Sequence, residues 1–529
     1  MPAATTSSSR RGKIVAVFAV AALAVAGGAY YLFTVYLPQE KRGPAQAEIE
    51  RWEARLAEAR ACLLGPAPAS ANPREALAIR ELSPDPWDRT TCTQLIGKLS
   101  RGEAEDTGLL AVEEAWHGLD LAAGKVGASF LAHVDPAGEP AKHRRADALP
   151  VALDELDAAH AALRAAAELG PPPAHPASKP LPAAEVIPLR DGAEPILRVE
   201  SWTMPSMNGV IAFGATASHE VQLVLAPGAA PVVRRIGAGV LRTVPDAAWG
   251  AVARAGATPK GEELYQLVVG PLDDHGEPPA VPPDGDPAKR KHAVAIDGRA
   301  SVFAVVGTDD DGLVVAGSRS ALVLARSRAG TLTADRPIEI EQLAFATDPA
   351  GRALVAYNDV EGALHGFVAR GAAPARPIEL GAARAGGACL TAKRGWIAGP
   401  ETDQIVAFDP ETGAVTPYTY AKHDLLGCTA DAALLHERNA THYVVCAGDC
   451  RVAALQGMRP SKIATLAGAQ VVAAVVRDQV LGVWREQGPP AYYDLGKQLD
   501  LQLAVSDGKA LDLVAESGDG LVIVRVPAK

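Results

Sequence analysis

The sequence has few aromatic residues and no excess of basic charge. Phe, Trp and Tyr make up 5% of its 529 residues, and 51 Lys and Arg stand against 62 Asp and Glu, which gives a formal net charge of −11. Nucleic-acid binding requires a basic face against the phosphates, so this balance argues against such a partner. The densest basic run, residues 289–292, follows a Pro- and Asp-rich stretch and is interpreted as a solvated loop.

Common catalytic and metal-binding signatures are also missing. The sequence contains no Gly-x-x-x-x-Gly-Lys-Ser/Thr loop, no Gly-x-Ser-x-Gly elbow and no His-Glu-x-x-His helix. The nearest cluster, His436, Glu437 and His442, lacks zinc-ligand spacing and is interpreted as a hairpin tip. Residues 309–312 lack the alternating ligands of an EF-hand loop and are interpreted as a turn. We therefore predict no catalytic residue, no metal site and no cofactor.

Residues 14–37 form the longest run without a charged side chain. At about 1.5 Å per residue, such a helix spans roughly 36 Å, enough to cross a bilayer. Arg10, Arg11 and Lys13 precede it, which predicts that residues 1–13 are a cytoplasmic tail. The alternative is a signal peptide cleaved near residues 24–26. Because the apolar run continues past that point, we favour an uncleaved anchor in the inner membrane of a bacterium. The remaining domains are then expected in the periplasm.

The chain contains six cysteines: Cys62, Cys92, Cys389, Cys428, Cys446 and Cys450. An even number in an exported chain indicates disulfides. Cys62 and Cys92 are the natural pair in the first region, and a hairpin turning near Glu437 would place Cys428 opposite Cys446. Partners for Cys389 and Cys450 stay open, as does the alternative that some cysteines are buried free thiols. The Cys446-Ala-Gly-Asp-Cys450 stretch is interpreted as structural and not as a redox pair.

Residues 38–169 have the pattern of a small helical domain. Helix-forming residues dominate residues 44–64, where Ile49, Trp52 and Leu56 share one stripe, and a second clear helix covers residues 151–169. His160 lies on the apolar stripe of that second helix and is interpreted as a packing residue. Residues 170–184 are rich in proline and predict a semi-rigid linker.

Residues 185–529 repeat an apolar strand, a tight polar turn and a second apolar strand. We place eight such hairpin turns near residues 218, 259, 319, 360, 401, 448, 488 and 518. A period of about 40 residues with room for two further strands predicts the four-stranded blades of a β-propeller. We expect eight blades, with seven as the alternative. The isolated strand at residues 185–190 is expected to complete the last blade and close the ring.

One repeat carries a sharper resemblance. Residues 405–415 contain a strand, the sequence Asp409-Pro-Glu-Thr-Gly413 and a second strand. This unit resembles the repeat of quinoprotein-type and related propellers, with Tyr418 where such repeats often have Trp. Asp409 is expected to accept hydrogen bonds within the turn, and Gly413 to supply a positive φ. The resemblance supports the propeller fold and indicates no particular cofactor.

These features lead to three hypotheses of function. The first is a membrane-anchored extracytoplasmic propeller that binds an unidentified protein of the bacterial cell envelope, without catalysis. The second is an enzyme or small-molecule sensor that uses the central channel. The third assigns self-association or membrane-partner binding to the helical domain. Trp202, Trp249, Trp396 and Trp484 are interpreted as packing residues, although a propeller mouth exposes such rings in some proteins.

Overall fold

The computed structural model describes residues 23–31, 37–65, 73–82, 88–100, 109–134, 148–172, 181–206, 209–242, 249–257, 263–278, 293–297, 301–308, 310–328, 331–347, 351–372, 377–381, 383–399, 403–420, 423–437, 442–455, 458 and 463–527. The chain divides into two compact units. One comprises residues 1–81 and 85–180 and is helical, and the other comprises residues 82–84 and 181–529 and is built of β-strands.

The predicted membrane segment is only partly described. Residues 23–31 are helical, whereas residues 14–22 and 32–36 and the predicted cytoplasmic tail lie outside the described residues. Within the described part of the chain, no helix combines the length and the apolar character that crossing a membrane requires.

Besides residues 23–31, the described part of the helical unit contains five helices: α1 (Leu37–Leu64), α2 (Pro73–Leu82), α3 (Arg89–Gly97), α4 (Leu110–Val134) and α5 (Ala148–Ala166). The predicted stripe of Ile49, Trp52 and Leu56 is buried. Trp52 meets Trp116 of α4 edge to face, with ring centroids 6.2 Å apart, and its indole N–H donates to the carbonyl of Leu99 at 2.8 Å. A large buried ring with a satisfied polar atom fixes how α1 packs against its neighbours.

His160 of α5 belongs to this core, as predicted, but it also carries a polar contact. Its ring lies 5.2 Å from that of Trp52, and its Nε2 is 2.7 Å from Oε1 of Glu53. Arg164 donates to the same carboxylate. Burial alone would raise the pKa of Glu53, but the hydrogen bonds from His160 and Arg164 outweigh it and lower that pKa. Burial also lowers the pKa of His160.

The described residues of the β unit form 34 strands, almost all of them grouped in fours along the chain. Before the first group come β1 (Glu185–Pro188), β2 (Arg190–Asp191) and β3 (Glu194–Pro195). The first two groups are β4 (Arg198–Trp202), β5 (Val210–Ala215), β6 (Glu220–Leu225) and β7 (Val232–Ile236), then β8 (Leu241–Arg242), β9 (Trp249–Ala257), β10 (Glu263–Pro271) and β11 (Ala293–Asp297). The third and fourth are β12 (Ser301–Gly307), β13 (Asp311–Gly317), β14 (Ala321–Arg328) and β15 (Thr331–Ala334), then β16 (Ile338–Thr347), β17 (Ala353–Asp359), β18 (Leu364–Ala369) and β19 (Ile378–Gly381).

The remaining strands continue the pattern. The fifth and sixth groups are β20 (Gly387–Leu390), β21 (Gly395–Ala398), β22 (Gln404–Phe408) and β23 (Val415–Thr419), then β24 (His423–Cys428), β25 (Ala433–Glu437), β26 (Tyr443–Ala447) and β27 (Asp449–Val452). The seventh is β28 (Ala464–Ala467), β29 (Gln470–Arg477), β30 (Val480–Arg485) and β31 (Ala491–Asp494), and the last three strands are β32 (Asp500–Ser506), β33 (Ala510–Ser517) and β34 (Gly520–Pro527).

Each group is an antiparallel meander, and together they form a β-propeller. The described strands pair into six separate four-stranded sheets, one eight-stranded sheet and the small β2–β3 pair. The prediction of eight separate blades therefore differs from the observed pairing. The reason is the length of β16, whose first residues pair with the start of β14, Ala321 with Glu339 and Leu322 with Ile338, and so join two meanders.

The ring closes as predicted. β1 pairs antiparallel with β34, from Glu185 opposite Arg525 to Pro188 opposite Val522. The first strands β8, β12, β16, β20, β24, β28 and β32 contact one another in series, so they surround the central channel. The second and third strands are buried on both faces, as in β13 and β14, which explains their continuous apolar sequences.

The six cysteines form three disulfides. Cys62 pairs with Cys92 and links α1 to α3, as predicted. The predicted pair of Cys428 with Cys446 is wrong: Cys428 bonds to Cys389, and Cys446 bonds to Cys450. Both Cys428 and Cys446 lie opposite Ala433, on the two strands that flank β25. Two strand spacings of about 4.8 Å separate them, which exceeds the Cα–Cα reach of a disulfide.

Candidate functional site

The structure describes only some of the side chains that the sequence analysis considered as metal ligands. Asp311 begins β13, where its Oδ1 accepts a hydrogen bond from the backbone N–H of Ala372 at 2.8 Å, and it thus serves a connection between strands. His436 lies in β25, and the side chain of Glu437 is outside the described residues. Among the residues that the structure describes, no group of three His, Cys, Asp or Glu side chains could hold a metal ion.

One cavity of the β unit lies on the channel side of its first four meanders. Its volume is about 490 Å³. Its walls include residues of the first strands β4, β8, β12 and β16, together with parts of β5, β6 and β9. In a chain with 8 Phe and 7 Trp, the cavity is lined by Trp202, Phe213, Phe303 and Phe345. The cavity thus brings four aromatic side chains together.

Two β-bulges shape the wall of the cavity. In β4 the pairing with β5 skips Glu200, because Val199 lies opposite Gly214 and Ser201 opposite Phe213. In β12 the pairing skips Phe303 in the same way. A bulge redirects the side chain of its extra residue, and both extra residues line the cavity. The acidic and the aromatic character of the wall thus depend partly on irregular pairing in first strands.

Two of the cavity's aromatic rings are unusually exposed. The exposed fraction is 43% for Trp202 and 39% for Phe345, whereas Trp249, Trp396 and Trp484 are buried. The interpretation of Trp202 as a packing residue is therefore wrong, and that of the other three is right. Trp202 ends a first strand and lines the cavity.

Phe345 lies beside a second ring of the cavity wall. Its centroid is 5.4 Å from that of Phe303, and the two ring planes are inclined by 39°. Phe345 comes from β16 and Phe303 from β12, so the contact joins two neighbouring first strands. The pair gives the cavity a continuous aromatic wall that is still partly open to solvent.

Three charged side chains complete the lining. Glu200 accepts a hydrogen bond from the exposed Arg198 at 2.9 Å, and Glu220 accepts one from the backbone N–H of Gly239 at 3.3 Å. Arg352 donates to the carbonyl of Ala392 at 3.1 Å. The lining residues, all within the described part of the chain, include neither His nor Cys, so the cavity offers no nucleophile paired with an imidazole base.

Glu220 and Arg352 lie toward opposite ends of the cavity. Glu220 begins β6, directly after the turn that joins β5 to β6. Arg352 directly precedes β17, after the connection from β16. Consecutive turns of an antiparallel meander lie at opposite ends of its strands, and the first strands run in the same sense around the ring. Glu220 therefore lies toward one end of the cavity and Arg352 toward the other, while Glu200 comes from the middle of β4, and the aromatic rings belong to the same lining.

Neither a protein-family model nor a curated protein sequence matches this chain. Among solved structures, the chain is similar to Kluyvelomyces marxianus Hsv2 at 10% identity, covering 63% of this chain and 99% of that one with a TM-score of 0.29. It is also similar to BBS1N in complex with ARL6DN at 10% identity, covering 65% and 97% with a TM-score of 0.27. A third match is the Vanderwaltozyma polyspora Nup133 β-propeller domain at 8% identity, covering 60% and 91% with a TM-score of 0.26. The β-propeller assignment rests on the strand pairing of this chain itself.

Proposed function

We propose that this protein is a binding platform whose propeller captures a segment of a partner polypeptide in the channel-side cavity, without catalysis. The observation that carries the proposal is the exposure of Trp202 and Phe345 in the wall of the cavity. Exposed aromatic rings within a concave site are the residues that most often dominate the energy of protein association. Water contact with two large apolar side chains is unfavourable, so a partner that covers them gains free energy.

A site-specific crosslinking experiment tests this proposal. A photoreactive amino acid replaces Ser201, which lines the cavity beside Trp202. The matched control carries the same group at Val415, which is 39% exposed on β23, the fourth strand of its sheet. We expect a polypeptide crosslinked in native membranes at residue 201, and its loss when Trp202→Ala and Phe345→Ala are added. Equal labelling at both positions would contradict the proposal.

We further propose that residues 14–37 anchor the chain in a bacterial inner membrane, with residues 1–13 in the cytoplasm and the propeller in the periplasm. The uncharged run and the preceding Arg10, Arg11 and Lys13 support this orientation. Three disulfides agree with an oxidising compartment. Protease added to spheroplasts tests the topology: we expect digestion of the propeller without lysis, whereas protection until lysis would overturn it.

We also propose that the eight-stranded sheet acts as two blades, which gives a propeller of eight. The support is that β12–β15 and β16–β19 are each complete four-stranded meanders, linked through only the first residues of β16. Blades of this kind average about 43 residues, within the range of known propellers. An experimental structure of the propeller tests this count by the number of pseudosymmetric units around the channel.

A small-molecule sensor is the second candidate. The cavity volume of about 490 Å³ favours it, because pockets for small ligands measure roughly 300–1,000 Å³. A metabolite screen by thermal shift separates the candidates. Stabilisation by a small compound that is lost in Trp202→Ala would favour the sensor, and crosslinking of a polypeptide at residue 201 would favour the platform.

A further inference from the structure

The chemistry of the cavity narrows the kind of partner segment that it would accept. Its wall combines the aromatic rings of Trp202, Phe303 and Phe345 with the carboxylates of Glu200 and Glu220. Aromatic rings attract cations through their electron-rich faces, with Trp the strongest. Rings and carboxylates in one cavity together favour a group with an apolar stem and a positive end.

The carboxylate of Glu200 is available for exchange. Its partner Arg198 lies two residues earlier on the same strand. The side chain of Glu200 is 44% exposed, and that of Arg198 is 68% exposed. An ion pair as exposed as this contributes little free energy, so an incoming cation replaces Arg198 at small cost. Glu200 is also the extra residue of the β4 bulge, which turns it toward the cavity.

The second carboxylate has a backbone partner instead of a charged one. Glu220 accepts the backbone N–H of Gly239, and a carboxylate has further acceptor positions beyond that bond. Glu220 lies toward the end of the cavity away from Arg352, and Glu200 comes from the middle of β4. A cation therefore has a preferred end, and its stem extends along the aromatic wall.

The charge of the whole chain points the same way. Its formal net charge of −11 attracts a cationic segment and repels an acidic one. Trp202 and Phe345 are exposed enough to cover the methylene groups of a long side chain. Lys and Arg are the protein side chains that combine such a stem with a permanent positive charge.

We propose that the cavity binds a Lys or Arg side chain of the partner polypeptide, with its charged end at Glu200 and Glu220 and its stem against Trp202 and Phe345. This rests on the proposed platform function and specifies the chemistry of the same site. It predicts a partner segment with a protruding basic residue, whose binding weakens as the salt concentration rises.

Calorimetric titration of the full chain with synthetic peptides tests the proposal. The peptides are capped nine-residue Gly-Ser chains that differ only at the central residue, which is Lys, Arg, norleucine or Glu. We expect the Lys and Arg peptides to bind at least about tenfold more tightly than the norleucine peptide, and the Glu peptide not to bind. Norleucine keeps the stem and removes the charge, so equal affinities for Lys and norleucine would overturn the proposal.

Variants locate the binding. Glu200→Gln and Glu220→Gln keep the size and the acceptor oxygen of each side chain but remove the charge, and each should weaken the Lys peptide by about tenfold. Glu379→Gln, an exposed position on β19, is the matched control and should change nothing. Circular dichroism and melting temperature verify folding. Unchanged affinity in both cavity variants would overturn the proposal.

The peptide assay and the crosslinking assay together distinguish failure of the basic-residue proposal from failure of the platform proposal. If residue 201 captures a polypeptide but the four peptides show no binding or bind equally, the proposal of a basic side chain is wrong and the platform proposal stands. If residue 201 captures nothing and the peptides show no binding, both proposals fail. Selective binding of the Lys and Arg peptides together with capture at residue 201 supports both.

Discussion

Asp512 and Arg525 lie directly opposite each other on β33 and β34 and form a two-point ion pair. Nε of Arg525 donates to Oδ1 of Asp512 at 2.8 Å, and Nη2 donates to Oδ2 at 2.9 Å. The same two side chains also hold the turn between β6 and β7: Gly228 donates its backbone N–H to Asp512, and Arg525 donates to the carbonyl of Ala229. The pair thus fastens the closing sheet to the first sheet.

Loss of the Asp512 charge should weaken the closure of the ring. Its side chain is only 5% exposed and that of Arg525 is 20% exposed, so removal of Asp512 leaves a largely buried cation without its hydrogen-bonded counter-ion. For Asp512→Ala we expect the free energy of unfolding to fall by about 2–4 kcal/mol. Urea unfolding of the full chain, followed by tryptophan fluorescence, measures the change.

The control for this prediction is an exposed pair with the same chemistry. Arg370 bonds to Glu411, and these side chains are 54% and 63% exposed. Glu411→Gln should change the free energy of unfolding by less than about 1 kcal/mol. If Asp512→Ala and Glu411→Gln shift the unfolding midpoint equally, Asp512 has no special role in closure.

The two disulfides of the β unit should differ in their effect on stability. Cys389 and Cys428 join the first strands of neighbouring sheets and are 39 residues apart, whereas Cys446 and Cys450 join the two sides of one hairpin and are 4 residues apart. Because a longer loop loses more entropy when it is closed in the unfolded chain, we expect about 4 kcal/mol for the first and about 2 kcal/mol for the second.

Paired Cys→Ala substitutions measure this difference. One variant replaces Cys389 and Cys428, and the other replaces Cys446 and Cys450. The Cys446 and Cys450 variant is the internal control, because it removes the same number of sulfur atoms from the same unit. A greater loss from that short-loop variant would refute the entropic account.

The strand pattern could be predicted from the sequence because second and third strands are buried on both faces and their turns are short. Most predicted turns, for example those near residues 218, 319 and 518, lie between the second and third strands of a meander. The turns predicted near residues 448 and 488 are not central turns: each lies one connection later, between the third and fourth strands of its meander. Gly448 and Gly488 mark the turns after the third strand, while the central turn after β29 uses Asp478 at a φ of 53°. With the central turns placed correctly, the last repeats are evenly spaced at about 40 residues.

The cavity could not be predicted from the sequence. A Trp within a strand is normally interpreted as a packing residue. The exposure of Trp202 follows from its position on a first strand beside a bulge. Nothing local distinguishes it from Trp396, which is buried in a second strand. The pairing of Cys389 with Cys428 likewise depends on the contact between two sheets. Such features belong to the packing of the ring, which hydrophobic periodicity does not encode.

The turn that carries the propeller resemblance offers a third prediction. Oδ1 of Asp409 accepts the N–H groups of Glu411 and Thr412, and Gly413 has a φ of 73°, both as predicted. A β-carbon at residue 413 would make only an ordinary contact with Ile378, so the cost of Gly413→Ala is conformational. We expect a loss of about 1–2 kcal/mol.

The opposite sign is expected at a glycine in a helix. Gly124 is exposed within α4, and a β-carbon there meets nothing within 4 Å. Gly124→Ala should therefore stabilise the protein by roughly 0.5–1 kcal/mol, because alanine restricts the unfolded chain. Differential scanning calorimetry of both variants measures the two shifts. A destabilising Gly124→Ala or a neutral Gly413→Ala would contradict the backbone argument.

The pair of His160 and Glu53 should make the helical unit sensitive to acid in two steps. Burial lowers the pKa of His160 from its ordinary 6.5, so below that pH the unfolded chain binds a proton that the folded chain does not. Stability therefore falls as the pH drops below about 6.5. The pKa of Glu53 is lowered from 4.5 by its hydrogen bonds to His160 and Arg164, which outweigh its burial, so a second loss begins below about pH 4.5.

Hydrogen exchange separates these two steps in the full chain. Amide protection in α5 should be highest near pH 7.5 and, after correction for the intrinsic exchange rate, lower at pH 5.5. His160→Gln keeps a donor for Glu53 but removes the titrating ring, so it should abolish the loss between pH 7.5 and 5.5 and leave the loss below pH 4.5. His442→Gln, in the β unit, is the control and should leave α5 unchanged. In the folded protein, burial disfavours protonation of His160, and unfolding of α5 removes this burial. Acid should therefore favour the unfolded state of α5. If the amide protection of α5 in the unmodified protein stays constant down to pH 5, His160 does not have this role.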